Sequence, residues 1–507
     1  MKENIIMGLM TVFSAGNLLA ALLGTVLGIA FGAMPGLSAT IGIAVLIPVS
    51  YGMEPATGLI LLAGVYVGAC YGGSISAILV NTPGTPGAAA TSWDGNPMAM
   101  KGQAREALTE SAVASFWGTV IGFVALLTIA PSLAKFSLRF STQENICLAI
   151  FGLTIIASLS KDVFKGLIGG CVGLLLGSFG MDPQYGFARF TFGQMSLITG
   201  LPTVPVLVGI YSISQLLSMV IDRNGTVNVD DSLSKVGKYR VKLKDLFYRP
   251  LTYLYCGILG VIIGIIPAAG TSIAGFMGYN EARRISKHPE LFGTGVREGI
   301  SGPESANNGV IGGSLIPMMT LGIPGNAVSA VLMGALMLHG MTPGNDLFTT
   351  KAAVTYPFIF GILTSAIIMV IVGMTCASQF AKVNRIPENY LAAGILAMTV
   401  LGAFSSANSF SHVYIMLICG VLAYFLKRAK IDLSAVVLGF ILGPVAEKGL
   451  VRTIVKTHSF GGMVTSVLSR PICIVLLVAS VLSFAYPLIR KSRERKKAEA
   501  AAKAAQA

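Results

Sequence analysis

Long stretches without any charged residue alternate with short polar segments along the chain. No Asp, Glu, Lys or Arg occurs in Asn4–Met53, Pro55–Trp93, Ser305–Asn345 or Asn389–Leu426, and several shorter stretches are equally free of charge. A membrane-spanning helix needs about 20 apolar residues, whereas a buried strand of a soluble α/β protein is an apolar run of only about 4–8 residues. The pattern therefore predicts an all-α polytopic membrane protein with about 10–13 helical passages.

The composition agrees with a chain that lies in lipid. Of 507 residues, 54% are hydrophobic and 11% are charged, and the mean hydropathy is +0.75, whereas soluble domains carry about 25% charged residues. The net charge of +14 would fit a nucleic-acid-binding protein, but the basic residues lie in short segments between apolar stretches, such as Lys427–Lys430. Membrane proteins keep such residues on the cytoplasmic face, so we expect no nucleic-acid partner. The basic end, residues 489–507, is predicted to be a cytoplasmic tail.

Two glycine–proline patterns occur twice, in the same order. The first is Gly-x3-Gly-x2-Pro, which ends at Pro35 and again at Pro267. The second is Gly-Gly-Ser followed by Pro-Gly, which begins at Gly72 and again at Gly312. The two separations, 232 and 240 residues, are similar. A duplication explains this better than chance does, and many secondary transporters are built from such repeats.

A polar segment separates the two copies. Residues 222–249 carry seven basic and four acidic side chains, and we interpret them as a linker. We place a first membrane repeat at 10–221 and a second at 250–488. Whether the repeats are parallel or inverted depends on the number of spans in each, which hydropathy leaves open.

Proline and glycine interrupt the apolar stretches at matching places of the two halves. Within lipid, a broken helix is tolerated only where protein or a water-filled cavity satisfies its backbone polar groups. Helix N-termini at such breaks present free N–H groups and about half a positive charge, which suits a carboxylate. The alternative is that the glycines only allow close helix packing. We expect discontinuous helices and hairpins here, and a substrate site formed by Pro35, Gly36, Ser38, Asn81, Thr82, Pro83, Gly84, Pro324, Gly325 and Asn326.

One carboxylate adjoins a long apolar run. Glu304 precedes Ser305–Asn345, and Asn307 and Asn308 follow it closely. An intramembrane carboxylate indicates a functional site, and with two amide oxygens it can hold a sodium ion or a proton. The alternative is a capping box formed by Ser301 and Glu304 at a helix start, and the two interpretations do not exclude each other. We predict ion coupling at Glu304, Asn307 and Asn308, with sodium as the candidate co-transported ion and no other cofactor.

In combination, these motifs strongly resemble the large membrane subunit of tripartite tricarboxylate transporters. The resemblance covers nearly the whole chain, and the family's Ala-Pro-Glu-Ala-Ala-Asn-Asn pattern differs here only by Gly302 and Ser305. The motifs that carry it are Pro35-Gly36, Tyr71-Gly72-Gly73-Ser74, Asn81-Thr82-Pro83-Gly84, Pro303-Glu304 with Asn307-Asn308, and Leu321-Gly322-Ile323-Pro324-Gly325.

The resemblance implies a permease of the bacterial inner membrane with two protein partners. One is a periplasmic solute-binding protein that captures a small organic anion, and the other is a small membrane subunit. It also implies inverted repeats and uptake driven by a sodium or proton gradient. Which carboxylate is carried stays open.

Two functions are compatible with the residues themselves. The first is secondary active uptake of tricarboxylates or related organic acids, and the second is cation–proton antiport with Glu304 as the carrier. The sequence contains no phosphate-binding G-x-x-x-x-G-K-[ST] loop, no H-E-x-x-H and no nucleophile elbow. We therefore expect no enzymatic activity.

Overall fold

The arrangement of the chain comes from a computed structural model. The structure describes residues 2–159, 162–182, 185–221, 239, 242–267, 270–380 and 388–485. The predicted tail, 489–507, and most of the predicted linker lie outside the described residues, so both stay predictions.

Helices make up nearly all of the described chain. A single short hairpin pairs strand β1 (Gly180–Met181) with strand β2 (Ala188–Arg189) among the described residues. In chain order the helices are α1 (Lys2–Val12), α2 (Ala15–Ala33), α3 (Ala39–Tyr51), α4 (Pro55–Val80), α5 (Ser92–Met100), α6 (Ala104–Ser137), α7 (Thr142–Leu159), α8 (Val163–Gly177), α9 (Thr203–Val208), α10 (Ser214–Ile221), α11 (Pro250–Ile265), α12 (Gly270–Ile285), α13 (Glu298–Leu321), α14 (Ala327–Leu338), α15 (Asn345–Phe348), α16 (Ala352–Phe380), α17 (Glu388–Ser405), α18 (Phe410–Arg428), α19 (Leu433–Thr457), α20 (Phe460–Leu468) and α21 (Pro471–Ala485).

Many of these helices can cross a membrane. Within the described residues, seven helices are long and apolar enough, where α9 and α10 count as one continuous helix, Thr203–Ile221. There are eight if α20 and α21, bent by 93°, count as one broken span. Six shorter apolar helices accompany them. The prediction of an all-α polytopic membrane protein is confirmed, while the number of passages stays a prediction.

The helices form two compact units. One comprises Met1–Ser137 and Val204–Tyr424, and the other comprises Leu138–Thr203 and Phe425–Ala507. Each unit takes segments from both predicted halves of the sequence. All residues predicted for the substrate and ion sites lie in the first unit.

Each of the four repeated proline motifs lies at a helix break. Pro35 lies between α2 and α3, and Pro267 lies between α11 and α12. Pro83 follows α4, and Pro324 lies between α13 and α14. The predicted discontinuous helices are therefore present at these motifs.

Glycines bring the backbones of neighbouring helices into contact. A Cβ atom at any of several glycines would overlap a carbonyl oxygen of the adjacent helix, which is how small residues let membrane helices approach closely. On α2 these glycines are Gly24, Gly28 and Gly32, which lie against Leu61, Val65 and Ala69 of α4. On α11 they are Gly260 and Gly264, which lie against Ala306 and Val310 of α13.

The two sets of contacts correspond residue by residue. Gly28 and Gly260 differ by 232 positions, and their partners Val65 and Ala306 differ by 241. The same separations relate the contact of Gly72 with Ile29 to that of Gly313 with Val261. In the structure, therefore, Gly72 corresponds to Gly313, one residue later than the sequence patterns suggest.

The long helices α4 and α13 run in opposite directions. The hydroxyl of Tyr66 on α4 is hydrogen-bonded to that of Ser314 over 3.1 Å. One turn later on α4, the carbonyl oxygen of Cys70 accepts a hydrogen bond from Asn307 over 3.2 Å. Residue numbers thus rise along α4 as they fall along α13. Inverted repeats would produce this arrangement, although the inverted duplication itself stays a prediction.

Replacing Gly28 by alanine should destabilise the first unit. The added methyl group would meet the backbone of Val65, which cannot turn away as a side chain would. We expect the free energy of unfolding to fall by about 1–3 kcal/mol, measured as a lower thermal midpoint of the purified protein.

Gly16→Ala, in the same helix, is the matched control. A Cβ atom at Gly16 meets nothing within 4 Å, and alanine favours a helix more than glycine does. Equal midpoints for the two variants would contradict the importance of the α2–α4 contact.

Candidate functional site

The first tip, Asn81–Gly87, folds back onto the end of α4. Asn81 ends the helix in the left-handed region at φ 53°, a common C-terminal conformation. The backbone N–H of Thr82 donates to the carbonyl oxygen of Ser76 over 3.4 Å, and that of Gly84 donates to Gly73 over 3.1 Å. These bonds fix the tip, while the side chain of Asn81 is exposed.

The first tip lies beside the break between α2 and α3. A Cβ atom at Gly84 would overlap the carbonyl oxygen of Gly32, near the end of α2. Gly36 has a left-handed φ of 88°, which glycine adopts without strain. Ser38 precedes α3, and its hydroxyl makes no capping hydrogen bond. The structure therefore brings the predicted residues of the first half together at two adjacent breaks.

The second tip, Gly322–Asn326, has the same construction. Gly322 ends α13 in the left-handed region at φ 70°, and the N–H of Gly325 donates to the carbonyl oxygen of Ser314 over 3.3 Å. The side chain of Asn326 caps α14, because its Oδ1 accepts the N–H of Ser329 over 2.8 Å. Its Nδ2 donates to the hydroxyl of Tyr66 over 2.7 Å. Both ends of the Asn326 amide are therefore already hydrogen-bonded.

Each tip touches the long helix of the other half. Asn326 of the second tip bonds to Tyr66 on α4, and a Cβ atom at Gly87 of the first tip would overlap Oδ1 of Asn307 on α13. The antiparallel pair α4–α13 is therefore the element that both tips contact. No hydrogen bond among the described residues joins Asn81 to Asn326.

Glu304 is fully buried on α13. The hydroxyl of Thr91 donates to its Oε1 over 2.5 Å, and the hydroxyl of Ser115 on α6 donates to its Oε2 over 3.1 Å. None of the ion pairs among the described residues involves Glu304. A buried carboxylate without a positive partner is costly, so it needs a proton or a bound cation.

The two asparagines complete the surroundings of this carboxylate. The Nδ2 of Asn308 donates to the hydroxyl of Ser115 over 2.9 Å and to the carbonyl oxygen of Glu304 over 3.0 Å. The Oδ1 atoms of Asn307 and Asn308 are buried and have no hydrogen-bond partner. Buried polar atoms are normally satisfied, so two orphaned oxygens beside a carboxylate indicate a missing ligand.

The chemistry of this cluster suits a hard cation. Carboxylate, amide and hydroxyl oxygens are the donors that such cations prefer. Among the described residues, no group of three or more His, Cys, Asp or Glu side chains could hold a metal, which leaves a site with a single negative charge. The predicted trio Glu304, Asn307 and Asn308 thus lies together, and we call it, with Thr91 and Ser115, the Glu304 cluster.

The capping-box interpretation of Glu304 is wrong. α13 begins at Glu298, so Glu304 lies inside the helix. The hydroxyl of Ser301 donates to Glu110 over 2.5 Å and does not cap the helix. Thr91 and Ser115 were missed, because they are 213 and 189 positions away from Glu304 and no local pattern connects them.

A second buried carboxylate anchors the start of α13. Glu110 on α6 accepts hydrogen bonds from Tyr253, 2.7 Å, and from Arg297, also 2.7 Å at Nη2. Arg297 further lies 3.4 Å from Asp245 and 4.0 Å from the ring centre of Tyr248. Unlike Glu304, Glu110 therefore has a positive partner.

Asp245 lies in a short 3₁₀ helix, Leu243–Phe247, that precedes α11. Burial by itself raises the pKa of its carboxyl, but the backbone N–H of Lys242, the hydroxyl of Tyr239 and the charge of Arg297 together hold the pKa below its ordinary value. Asp245 is therefore ionised at neutral pH and contributes to holding Arg297 in place.

Asp94 anchors the same region from α5. It is fully buried, and its carboxylate accepts the backbone N–H groups of Gly293, Gly295 and Val296 over 2.7–3.0 Å. The hydroxyl of Tyr279 donates to it over 2.8 Å. Four donors satisfy the charge, so Asp94 is a structural anchor for the loop that precedes α13.

Comparison with known proteins agrees with the sequence motifs. The chain is 35% identical over 502 residues to an uncharacterised 52.8 kDa protein in the TAR-I ttuC′ 3′ region of Agrobacterium vitis, covering 97% of this chain and 98% of that protein. It is 34% identical over 239 residues to an uncharacterised protein in the TAR-II ttuC′ 3′ region of the same organism, covering 46% of this chain and 98% of that protein. No solved structure matches.

The family assignment rests on a match to most of the chain. The sequence model of the tripartite tricarboxylate transporter TctA family matches residues 18–438, which include the four repeated proline motifs and the whole Glu304 cluster. The resemblance inferred from the motifs is confirmed. The chain, a multi-pass membrane protein, belongs to the tripartite tricarboxylate transporter TctA family.

Proposed function

We propose that this chain is the permease subunit of a secondary active uptake system for tricarboxylates or related organic acids. The observation that carries the proposal is the fully buried Glu304, which has no positive partner and lies beside two orphaned amide oxygens. A cation would neutralise this buried charge, and the site contacts a Pro-Gly tip of the kind that transporters use for substrates.

The membrane location and the protein partners are part of the same proposal. We place the chain in the bacterial inner membrane with a cytoplasmic C-terminus, fed by a periplasmic solute-binding protein and assembled with a small membrane subunit. Family membership supports these partners. The opposite directions of α4 and α13 support inverted repeats, which allow one site to face either side of the membrane alternately.

Sodium is the favoured co-transported ion at the Glu304 cluster. A proton would neutralise the carboxylate alone and would leave Oδ1 of Asn307 and Asn308 without a donor. A sodium ion can be coordinated by the carboxylate, both amide oxygens and the hydroxyl oxygens of Thr91 and Ser115. Each group then gains a partner.

We assign the binding of the substrate anion to the helix breaks at the two tips and at Pro35. No Lys or Arg occurs in either tip, so backbone N–H groups, helix N-termini and neutral side chains must meet the carboxylates. Asn81 and Thr82 are the side chains best placed for contact, whereas Asn326 acts through its cap on α14. The residues Pro35, Gly36, Ser38, Pro83, Gly84, Pro324 and Gly325 provide the broken backbone.

Cation–proton antiport with Glu304 as the carrier is the second candidate. The observation in its favour is that hydroxyl groups surround the carboxylate, which suits a proton as well as an ion. An antiporter would exchange cations without an organic anion as substrate and without a binding protein, so transport assays separate the two functions.

Uptake should depend on the binding protein. In proteoliposomes that contain the two membrane subunits, labelled carboxylates at low concentration should enter quickly only when the binding protein and an inward sodium gradient are both present. The binding protein supplies the affinity, and the gradient supplies the energy. Full-rate uptake by this chain alone would instead indicate a stand-alone carrier.

Glu304→Gln should weaken the response of uptake to sodium. Removing the only charge of the cluster should reduce the stimulation by the sodium gradient, which for coupled sites is commonly about 5–150-fold, while the choice among carboxylates changes little. Glu290→Gln, on an exposed loop, is the control for the same chemical change. Unchanged sodium dependence in a folded Glu304→Gln protein would place the coupling site elsewhere.

Asn81→Ala should weaken the affinity for the carboxylate. A hydrogen bond to a charged group contributes about 1.5–3 kcal/mol, so KM should rise about tenfold or more while sodium dependence is kept.

Asn408→Ala is the matched control for this change, because Asn408 is also exposed and left-handed, at φ 50°. Its KM should not change. If both variants raise KM equally, the cause is backbone strain and not contact with the substrate.

A further inference from the structure

We propose that the segment Gly87–Thr91 connects the first tip to the Glu304 cluster, and that Thr91 is the positioning residue that makes tip and cation site respond to each other. This proposal rests on the proposed function, since it assumes a cation at Glu304. It adds a residue and a route by which ion binding reaches the anion site.

Both ends of the segment contact the cluster. At one end, Gly87 lies against Oδ1 of Asn307 so closely that a Cβ atom would not fit. At the other end, the hydroxyl of Thr91 donates to Oε1 of Glu304 over 2.5 Å. Glu304 and Asn307 are three residues apart on α13 and so lie on one helix face. The segment therefore follows that face from one cation ligand to the next.

The segment is stiff enough to transmit a displacement. Successive short-range hydrogen bonds join its backbone: the N–H of Ala88 donates to Thr85 over 3.1 Å, and that of Thr91 donates to Ala88 over 3.2 Å. The carbonyl oxygen of Thr91 then accepts the N–H of Gly95 over 2.9 Å, at the start of α5. No flexible stretch separates the tip from Thr91.

One end of this assembly is held fixed. Asp94, three residues after Thr91, is bound by three backbone N–H groups of the loop before α13. A change in the position of Thr91 is therefore passed toward the tip, which two backbone hydrogen bonds hold, and not toward α5, which the buried Asp94 holds. A cation bound at Glu304 attracts the lone pairs of the Thr91 hydroxyl oxygen and so draws Thr91, together with this connection, toward the ion.

Among the described residues of the other half, no segment makes a contact equivalent to that of Gly87–Thr91 with Glu304 and Asn307. With the separation of 241 that relates α4 to α13, Glu304 corresponds to Ala63 and Asn307 corresponds to Tyr66. The second tip therefore meets a tyrosine where the first tip meets Asn307, and the position equivalent to Glu304 is an alanine without a carboxylate. Coupling between ion and tip is thus confined to the contact made by Gly87–Thr91.

Thr91→Val tests this role, because valine keeps the shape of the side chain and removes the hydroxyl. The full-length protein in lipid nanodiscs is compared in sodium chloride and in choline chloride. Binding of ²²Na⁺ is measured directly, and hydrogen exchange of the backbone amides of the first tip, residues 81–87 without the two prolines, is followed by mass spectrometry. Thr91→Ser, which restores a hydroxyl, and Ser92→Ala, whose lost hydroxyl bonds only to the carbonyl oxygen of Ala89, are the controls.

In the wild type we expect sodium to slow exchange at the tip by about fivefold or more, in the range typical of coupled sites. Thr91→Val should bind ²²Na⁺ more weakly, because it loses one ligand. At sodium concentrations that saturate the site, exchange at the tip should no longer respond. Thr91→Ser and Ser92→Ala should behave as the wild type does. A merely structural role for Thr91 would instead change exchange at the tip equally with and without sodium.

The results that overturn the proposal differ from those that overturn the cation site. If ²²Na⁺ binds and depends on Glu304, but the tip does not respond or responds equally in Thr91→Val, the connection is wrong and the cation site stands. If Glu304→Gln leaves ²²Na⁺ binding unchanged, or the wild type does not bind it, the site itself is wrong and the connection falls with it.

Discussion

The contact between a glycine and a carbonyl oxygen of the neighbouring helix is the interaction on which the first unit depends. It occurs at three successive turns between α2 and α4 and at two between α11 and α13. Because the backbones approach so closely there, the tips lie against the ends of the neighbouring helices, with Gly84 at Gly32 and Gly325 at Gly264. A broken helix in lipid needs such cover for its free N–H and C=O groups. Without the glycines, the Pro-Gly tips would have no support.

The same close packing explains why the Glu304 cluster is shielded from solvent. Gly118 on α6 lies against the backbone of Ser305, and Gly87 lies against Asn307. The carboxylate is buried by these contacts, so it depends on hydroxyl donors and on whatever ion is bound. Glu110 is equally buried but is paired with Arg297, so it stabilises the fold. Glu304 has no such partner, so it can bind a ligand.

Local features of the sequence could be predicted, and long-range ones could not. The breaks at Pro35, Pro83 and Pro324 followed from the effect of proline and glycine on a helix, which acts within a few residues. Glu304 was identified because a charge beside a long apolar run is rare. Its role at a helix start was wrong, because the charge-free stretch did not reveal that α13 begins at Glu298.

What the sequence could not predict depends on how distant segments pack. Thr91 and Ser115 are ordinary hydroxyl residues, and only the packing of α6 and of the first tip onto α13 brings them to Glu304. Asn326 looked like a ligand because it is polar and adjoins Pro-Gly, whereas its amide caps α14 and bonds to Tyr66. The alignment of the two Gly-Gly-Ser motifs slipped by one residue, because sequence letters agree where helix contacts do not.

The regular spacing of the glycines on α2 also restricts how this pair of helices can move. Gly24, Gly28 and Gly32 meet residues of α4 that are 37 positions later in each case. Sliding one helix along the other would press side chains into the backbone until the next glycine came into register, four residues or about 6 Å away. Small adjustments are thus blocked and a whole-turn step is costly. Helices α2 and α4 must therefore move together as one rigid body, and any opening or closing has to take place where this pair meets other helices.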